Sequence, residues 1–212
     1  MSYIIRNEYE ADHRRVEELT RDAFWNLYVP GCDEHFLVHV IRNHPDFIPQ
    51  LDLVIELDGE IVGSIIYAKS WLEDETGQRM EIISFGPVSV TPELQRKGIG
   101  SRLIQHSLTL AKEMGYKAVI IYGDPGNYCK HGFVSGKKLG ISDAEGRFPY
   151  AMLALELQPG ILLGKQWKYL SSNAYQIDPA EAEEFDKQFQ PKKKEFRYTQ
   201  ELFMMSCSAY LD

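Results

Sequence analysis

The chain has 212 residues, 44% apolar and 25% charged, which is enough for one α/β domain with a sizeable core and speaks against disordered and membrane-spanning classes. Its 23 basic and 31 acidic side chains give a formal net charge of −8, against a broad phosphate-backbone footprint and so against nucleic acid as the main partner. The three cysteines, Cys32, Cys129 and Cys207, are odd in number and lack metal-ligand spacing, so they read as reduced thiols of a cytoplasmic protein without a disulfide framework or a metal site. Neither a signal peptide nor a membrane span is read from the sequence.

In chain order, Val16, Leu19, Ala23 and Phe24 recur at helical spacing and predict an amphipathic helix over 11–24, ended near Pro30-Gly31. Phe36, Leu37, Val40 and Ile41 predict a second, short helix. Two β-rich runs, 51–57 and 60–67, flank Asp58-Gly59, whose positive φ angles suit a two-residue hairpin turn. A polar stretch over 73–77 turns the chain into a strand at 80–90, broken by Thr91-Pro92-Glu93. Residues 98–114 carry Ile99, Leu103, Ile104, Leu108 and Ala111 on one helical face, and the apolar run 117–122 predicts a strand buried on both faces. Residues 80–122 therefore form a βαβ unit. One or two helical turns are expected at 127–131, and further strands at 133–139 and 150–157. After Pro159-Gly160, Asp178-Pro179-Ala180-Glu181 has the form of a helix start for 179–189, and 198–210 is a last helix or strand with no assignable period.

The strand-to-helix turn Gln95-Arg96-Lys97-Gly98-Ile99-Gly100-Ser101 is where phosphate chemistry is expected. A helix N-terminus leaves backbone N–H groups unpaired and partly positive, and glycines let that backbone approach phosphate oxygens closely. Arg96 and Lys97 add charge, and Ser101 adds a donor. A dinucleotide fingerprint is excluded because Leu103 stands where its third glycine is required, and no GxxxxGK[ST] P-loop is present.

Val88-Ser89-Val90-Thr91-Pro92-Glu93-Leu94 followed by QRKGIGSRLI resembles the acetyl-CoA signature of the GNAT N-acetyltransferase superfamily. Tyr128-Cys129-Lys130-His131-Gly132-Phe133 is similar to the family's Y-x-x-x-G-F segment, and Gly123-Asp124-Pro125 to a bacterial subgroup with G-D-P before that tyrosine. Asn127 adjoins the tyrosine, where many members place an asparagine several residues earlier, and His131 stands where the subgroup often has an aromatic residue. The resemblance implies an α/β (α+β) fold with a central splayed mixed sheet over 1–158, and a carboxy-terminal extension, 159–212, packed on it. It implies acetyl-CoA held by Gln95 to Ser101, with its pantetheine arm between 86–90 and 117–122. Main-chain groups at Val88 and Val90 would pair with that arm, the amide near Val88 facing the thioester oxygen.

Direct attack by a primary amine expels a thiolate, and Tyr128 is the candidate proton donor to it. The base that frees the amine is not identified by any motif. Glu81 is its candidate, with Glu73 and Asp74 nearby in sequence. The acceptor is expected to be an amine on a small molecule or peptide. The extension also offers a cover for the substrate cleft or a homodimer contact. A non-catalytic acyl-CoA-binding module acting through a protein partner is the competing function, and a longer acyl group is a third option.

Overall fold

The structure, a computed structural model, describes residues 3–212. Five antiparallel and parallel neighbours build its spine in the order β1 (Tyr3–Asn7), β2 (Leu53–Leu57), β3 (Glu60–Asp74), β4 (Arg79–Val90) and β5 (Ala118–Tyr122). Asp58 (φ 52°) and Gly59 (φ 89°) make the expected hairpin turn between β2 and β3. The polar stretch after it turns later than its composition predicts. β3 runs on to Asp74, whose carboxylate accepts the N–H groups of Thr76 and Gln78, both at 3.0 Å, and so closes the reversal into β4.

Alternation along β3 sorts its side chains between two layers of helix. Ile65 and Tyr67 face the helix that follows β4, α3 (Ile99–Glu113), together with Leu53, Ile83, Val119 and Ile121. Ile66 and Ala68 face Val38 and Ile41 of α2 (Glu34–Ile41), while Val54 and Ile61 receive Val16 and Leu19 of α1 (His13–Phe24). Gly63 allows α3 to sit close, because a Cβ there would lie 2.9 Å from Ser89 O and 3.2 Å from Leu103 Cδ1. A bulge sets Ile66 against Gly86 and Pro87, since Ile65 pairs with Val88 and Tyr67 with Phe85. Pro87 has no N–H for a ladder, so a bulge is where a central strand accommodates it.

β4 and β5 are parallel neighbours through one ladder pair only, Ile83↔Val119. Beyond that rung they part, and the fork opens toward the carboxyl ends of both strands. After β5 come a single helical turn, α4 (Pro125–Tyr128), and short strands β6 (Val134–Ser135), β7 (Ile141–Ser142) and β8 (Met152–Glu156). The strand expected over 133–139 is thus two residues long. Gly136 packs with its Cβ position 3.0 Å from Ile141 O and Met152 Sδ, and the chain coils through a 3-10 turn, Gly136–Leu139, ended by Gly140 at φ 68°.

The segment after Gly160 is part of the sheet. β9 (Trp167–Leu170) pairs antiparallel with β3 over Trp71–Asp74, and β7 pairs with it in turn. The chain then enters α5 (Pro179–Asp186), whose start is capped by the Asp178 carboxylate accepting Ala180 N–H at 2.8 Å, and ends in α6 (Tyr198–Ser208). Phe185, Phe189 and Ala182 pack on Phe36 of α2. Arg21 donates to both carboxylate oxygens of Asp186 at 2.6 and 3.2 Å and to Gln190 O, and Trp25 Nε1 donates to Lys193 O. The segment from α5 to Lys193 therefore straps α1 and α2 from outside.

Candidate active site

A cleft of about 480 Å³ lies at the mouth of the β4–β5 fork. Val88, Val90, Gln95, Gly100, Ser101 and Tyr128, all expected site residues, line it together. Arg96, Lys97 and Gly98 form the exposed turn beside it, and Ile99 turns its side chain into the core. Glu81 is not in the lining: it is exposed, with Lys69 Nζ 3.4 Å from its carboxylate.

The turn has the features a phosphate requires. Gly98 is the N-cap of α3 at φ 84°, a left-handed conformation in which a side chain is disfavoured, and Arg96 precedes it at φ 59°. No side chain caps the helix, so its first N–H groups keep their hydrogen-bonding capacity. A Cβ at Gly100 would meet only Val90 Cγ2, at 3.5 Å, and would otherwise face open space. Gln95 Nε2 donates to Val90 O at 3.2 Å and ties the turn to the end of β4. These residues fit a pyrophosphate.

Tyr128 stands at the other wall. Its ring packs on Phe85 and Phe133, with centroids 5.8 and 6.0 Å away, and beside Gly123, where a Cβ would come within 2.5 Å of Tyr128 Cε2. Burial, then the proximity of Tyr28 and Asp124, holds its phenol well above the ordinary tyrosine range. The group is therefore fully protonated at neutral pH.

The family's own sequence model, described as the acetyltransferase (GNAT) family, matches residues 8–134. The chain belongs to the GNAT acetyltransferase family. Among curated GNAT relatives, the uncharacterized N-acetyltransferase YhbS of Escherichia coli K12 is 28% identical over 131 residues, 61% of this chain and 72% of that protein. YjhQ, another uncharacterized N-acetyltransferase from the same organism, is 32% identical over 85 residues, 40% of this chain and 46% of YjhQ. The GNAT fold is shared with the solved structure of E. coli YhbS in complex with CoA (TM-score 0.69, 22% identity, 82% of this chain and 92% of that one). It is shared also with a GNAT acetyltransferase from Brucella melitensis in complex with acetyl-CoA (TM-score 0.65, 24% identity, 82% and 98%).

Two groups that no motif announces complete the GNAT cleft. Tyr28, just beyond α1, and Glu34, the first residue of α2, line the wall facing Tyr128. The Tyr28 ring is stacked on Phe203 of α6, 4.5 Å between centroids, so the tail supports this wall. A different cluster has the residue types of a nucleophilic triad but not its chemistry. Cys32 Sγ is 3.5 Å from His35 Nδ1, and His35 Nε2 is 3.1 Å from Asp186 Oδ1. Burial pushes the Cys32 thiol far up and the His35 imidazole down, so neither the thiolate nor the imidazolium forms readily, and the cluster serves to join α2 to α5.

Proposed function

We propose that the protein transfers the acetyl group of acetyl-CoA to a primary amine by direct attack, with Tyr128 as the proton donor to sulfur. The observation that carries this reading is that one cleft, at the mouth of a fork with a single rung, is lined by both the uncapped helix start and Tyr128. Main-chain N–H groups of Gly98 to Ser101 would hold the pyrophosphate, with Arg96 and Lys97 at its rim. The open edge of β4 beyond Ile83 supplies backbone groups for the pantetheine amides, and the N–H near Val88 is aimed to stabilise charge on the thioester oxygen. Acetyl-CoA brings an activated acyl carbon with a thiolate leaving group.

A phenol held above its ordinary pKa is a weaker acid, but the same dry wall raises the pKa of a departing thiol. Thiol release from acetyl-CoA, followed across an amine panel, tests the assignment. Tyr128→Phe is expected to lower kcat by about 10²–10⁴-fold with little change in acetyl-CoA affinity. Equal turnover would remove the role of Tyr128. Gly100→Asp is expected to weaken acetyl-CoA by tenfold or more in a folded protein.

A second reading, an acyl-CoA-binding module acting through a partner, draws on the exposed Leu202, Met204 and Met205 of α6. It is favoured by cofactor binding with no turnover on any amine.

A further inference from the structure

We propose that Glu34 is the carboxylate that receives the acceptor's ammonium group and takes its proton, and that the acceptor is a cationic primary amine on an apolar or aromatic body. The proposal rests on the transferase reading above and supplies its missing base.

Among the described residues, the carboxylates nearest to the cleft by sequence expectation are already engaged: Glu81 with Lys69, Glu73 with Arg79, and Asp74 with Lys165. Glu34 lines the cleft and has no ion-pair partner among the described residues. Its Oε2 accepts the Asp33 N–H, at 3.2 Å. The bland role of such a residue is to complement the positive end of α2, which would favour its charged form. Burial outweighs that: the carboxyl is pushed up to about 7, in spite of the two backbone N–H groups that pull it down. A carboxylate at an ordinary helix start would not be so displaced. A general base is most effective with its pKa near the working pH.

The groups facing Glu34 are of a kind to hold an ammonium ion. Asp33 adjoins it on α2, and Tyr28, whose phenol is raised by burial and by the charges of Glu34 and Asp124, lies across from it. Cys32, behind it, also senses its charge. From the β5–α4 side the cleft presents Tyr122, Asp124, Lys130 and His131, and from the tail Tyr169 and Tyr175. Tyr122, Tyr128 and Tyr175 remain neutral because burial raises all three, and His131 is held neutral by burial and Lys130. Aromatic faces with Glu34 and Asp124, against one Lys130, favour a cation.

The protons balance. An ammonium ion in water, at about 10.4 for a lysine-like amine, is a poor donor to a carboxylate at about 7, but an apolar wall lowers the ammonium's pKa. R–NH3+ gives one proton to Glu34, and the free lone pair forms the C–N bond as the C–S bond breaks. The second proton leaving nitrogen restores Tyr128 after its own has gone to sulfur. Glu34 then returns its proton to solvent, so one proton is released per acetyl group transferred.

The test uses the full chain with phenethylamine, benzylamine and 1,5-diaminopentane as probes. In wild type, kcat/KM is expected to fall tenfold per pH unit below about 7. Glu34→Gln is expected to lose this limb and about 10²-fold in kcat/KM at pH 8 while acetyl-CoA affinity is unchanged, and Glu34→Asp to recover part of the rate. Persistence of the limb in Glu34→Gln, or its loss in Glu81→Gln, overturns the assignment and leaves the transferase reading standing. Wild type that binds acetyl-CoA but acetylates no amine rejects that reading and the base role with it. Calorimetric binding of phenethylammonium to the CoA-loaded protein at pH 8 reads the site apart from turnover. It should weaken at least tenfold in Glu34→Gln, and equal affinity overturns the ammonium site.

Discussion

Gly123 and Tyr128 are five positions apart, and the ring of one occupies the space that a side chain on the other would need. With a Cβ at Gly123 only 2.5 Å from Tyr128 Cε2, Gly123→Ala must move the ring. Steady-state kinetics should then show at least a tenfold loss of kcat with acetyl-CoA affinity retained, because the turn at Gly98 to Ser101 is a separate element. Glu34 gives a second outcome at this scale, in stability. Its folded pKa of about 7 exceeds the ordinary 4.5, so its contribution to stability is full below pH 4.5 and is lost as the pH rises through 7. Urea denaturation should therefore find Glu34→Gln about as stable as wild type at pH 4 and up to about 3 kcal/mol more stable at pH 8. A carboxylate kept at a cost in stability is what a functional site predicts.

At the scale of elements, the residues proposed to bind through their backbone are the legible ones. Gly98 and Gly100 announce the turn because only a few sequences satisfy a left-handed N-cap followed by an apolar helix face, and Asp58-Gly59 fixes its hairpin for the same reason. Tyr128 was found through a local motif. Glu34 and Tyr28 were not, since an acid opening a short helix and an aromatic after one are ordinary in any sequence; what distinguishes them is the wall they face, a product of tertiary packing. β1 and β9 are not legible in the sequence because five and four residues give too little period to read, and both are defined by the strand they pair with. Arg21, 3% exposed, shows how the tail is held: its bidentate contact with Asp186 spans 165 positions. Arg21→Ala leaves Asp186 beside a neutral imidazole with no strong partner, and thermal unfolding should record a loss of about 3 kcal/mol.

At the scale of the whole molecule, the straps decide which half of the site is built by which part of the chain. In the proposed reaction the donor side comes from β4, α3 and β5, all within 79–122, and the wall assigned to the acceptor from α1 and α2, held down by residues 178–203. Weakening the straps, as in Arg21→Ala, should accordingly raise KM for the amine more than KM for acetyl-CoA, a split that two-substrate kinetics resolves.

The single rung between β4 and β5 has a mechanical side as well. Left and right halves of the sheet, β1 to β4 and β5 with β8 and β6, share only the direct rung Ile83↔Val119, and are otherwise joined through the β3–β9–β7 ladders and by core packing on both faces. A ligand with amides that settles in the fork acts as a short extra strand, so the two half-sheets would be sewn into one. Amide hydrogen exchange at Phe85 to Val90 and Ile120 to Tyr122 should slow on adding acetyl-CoA, and much less with a fragment that carries the pyrophosphate but lacks the pantetheine arm.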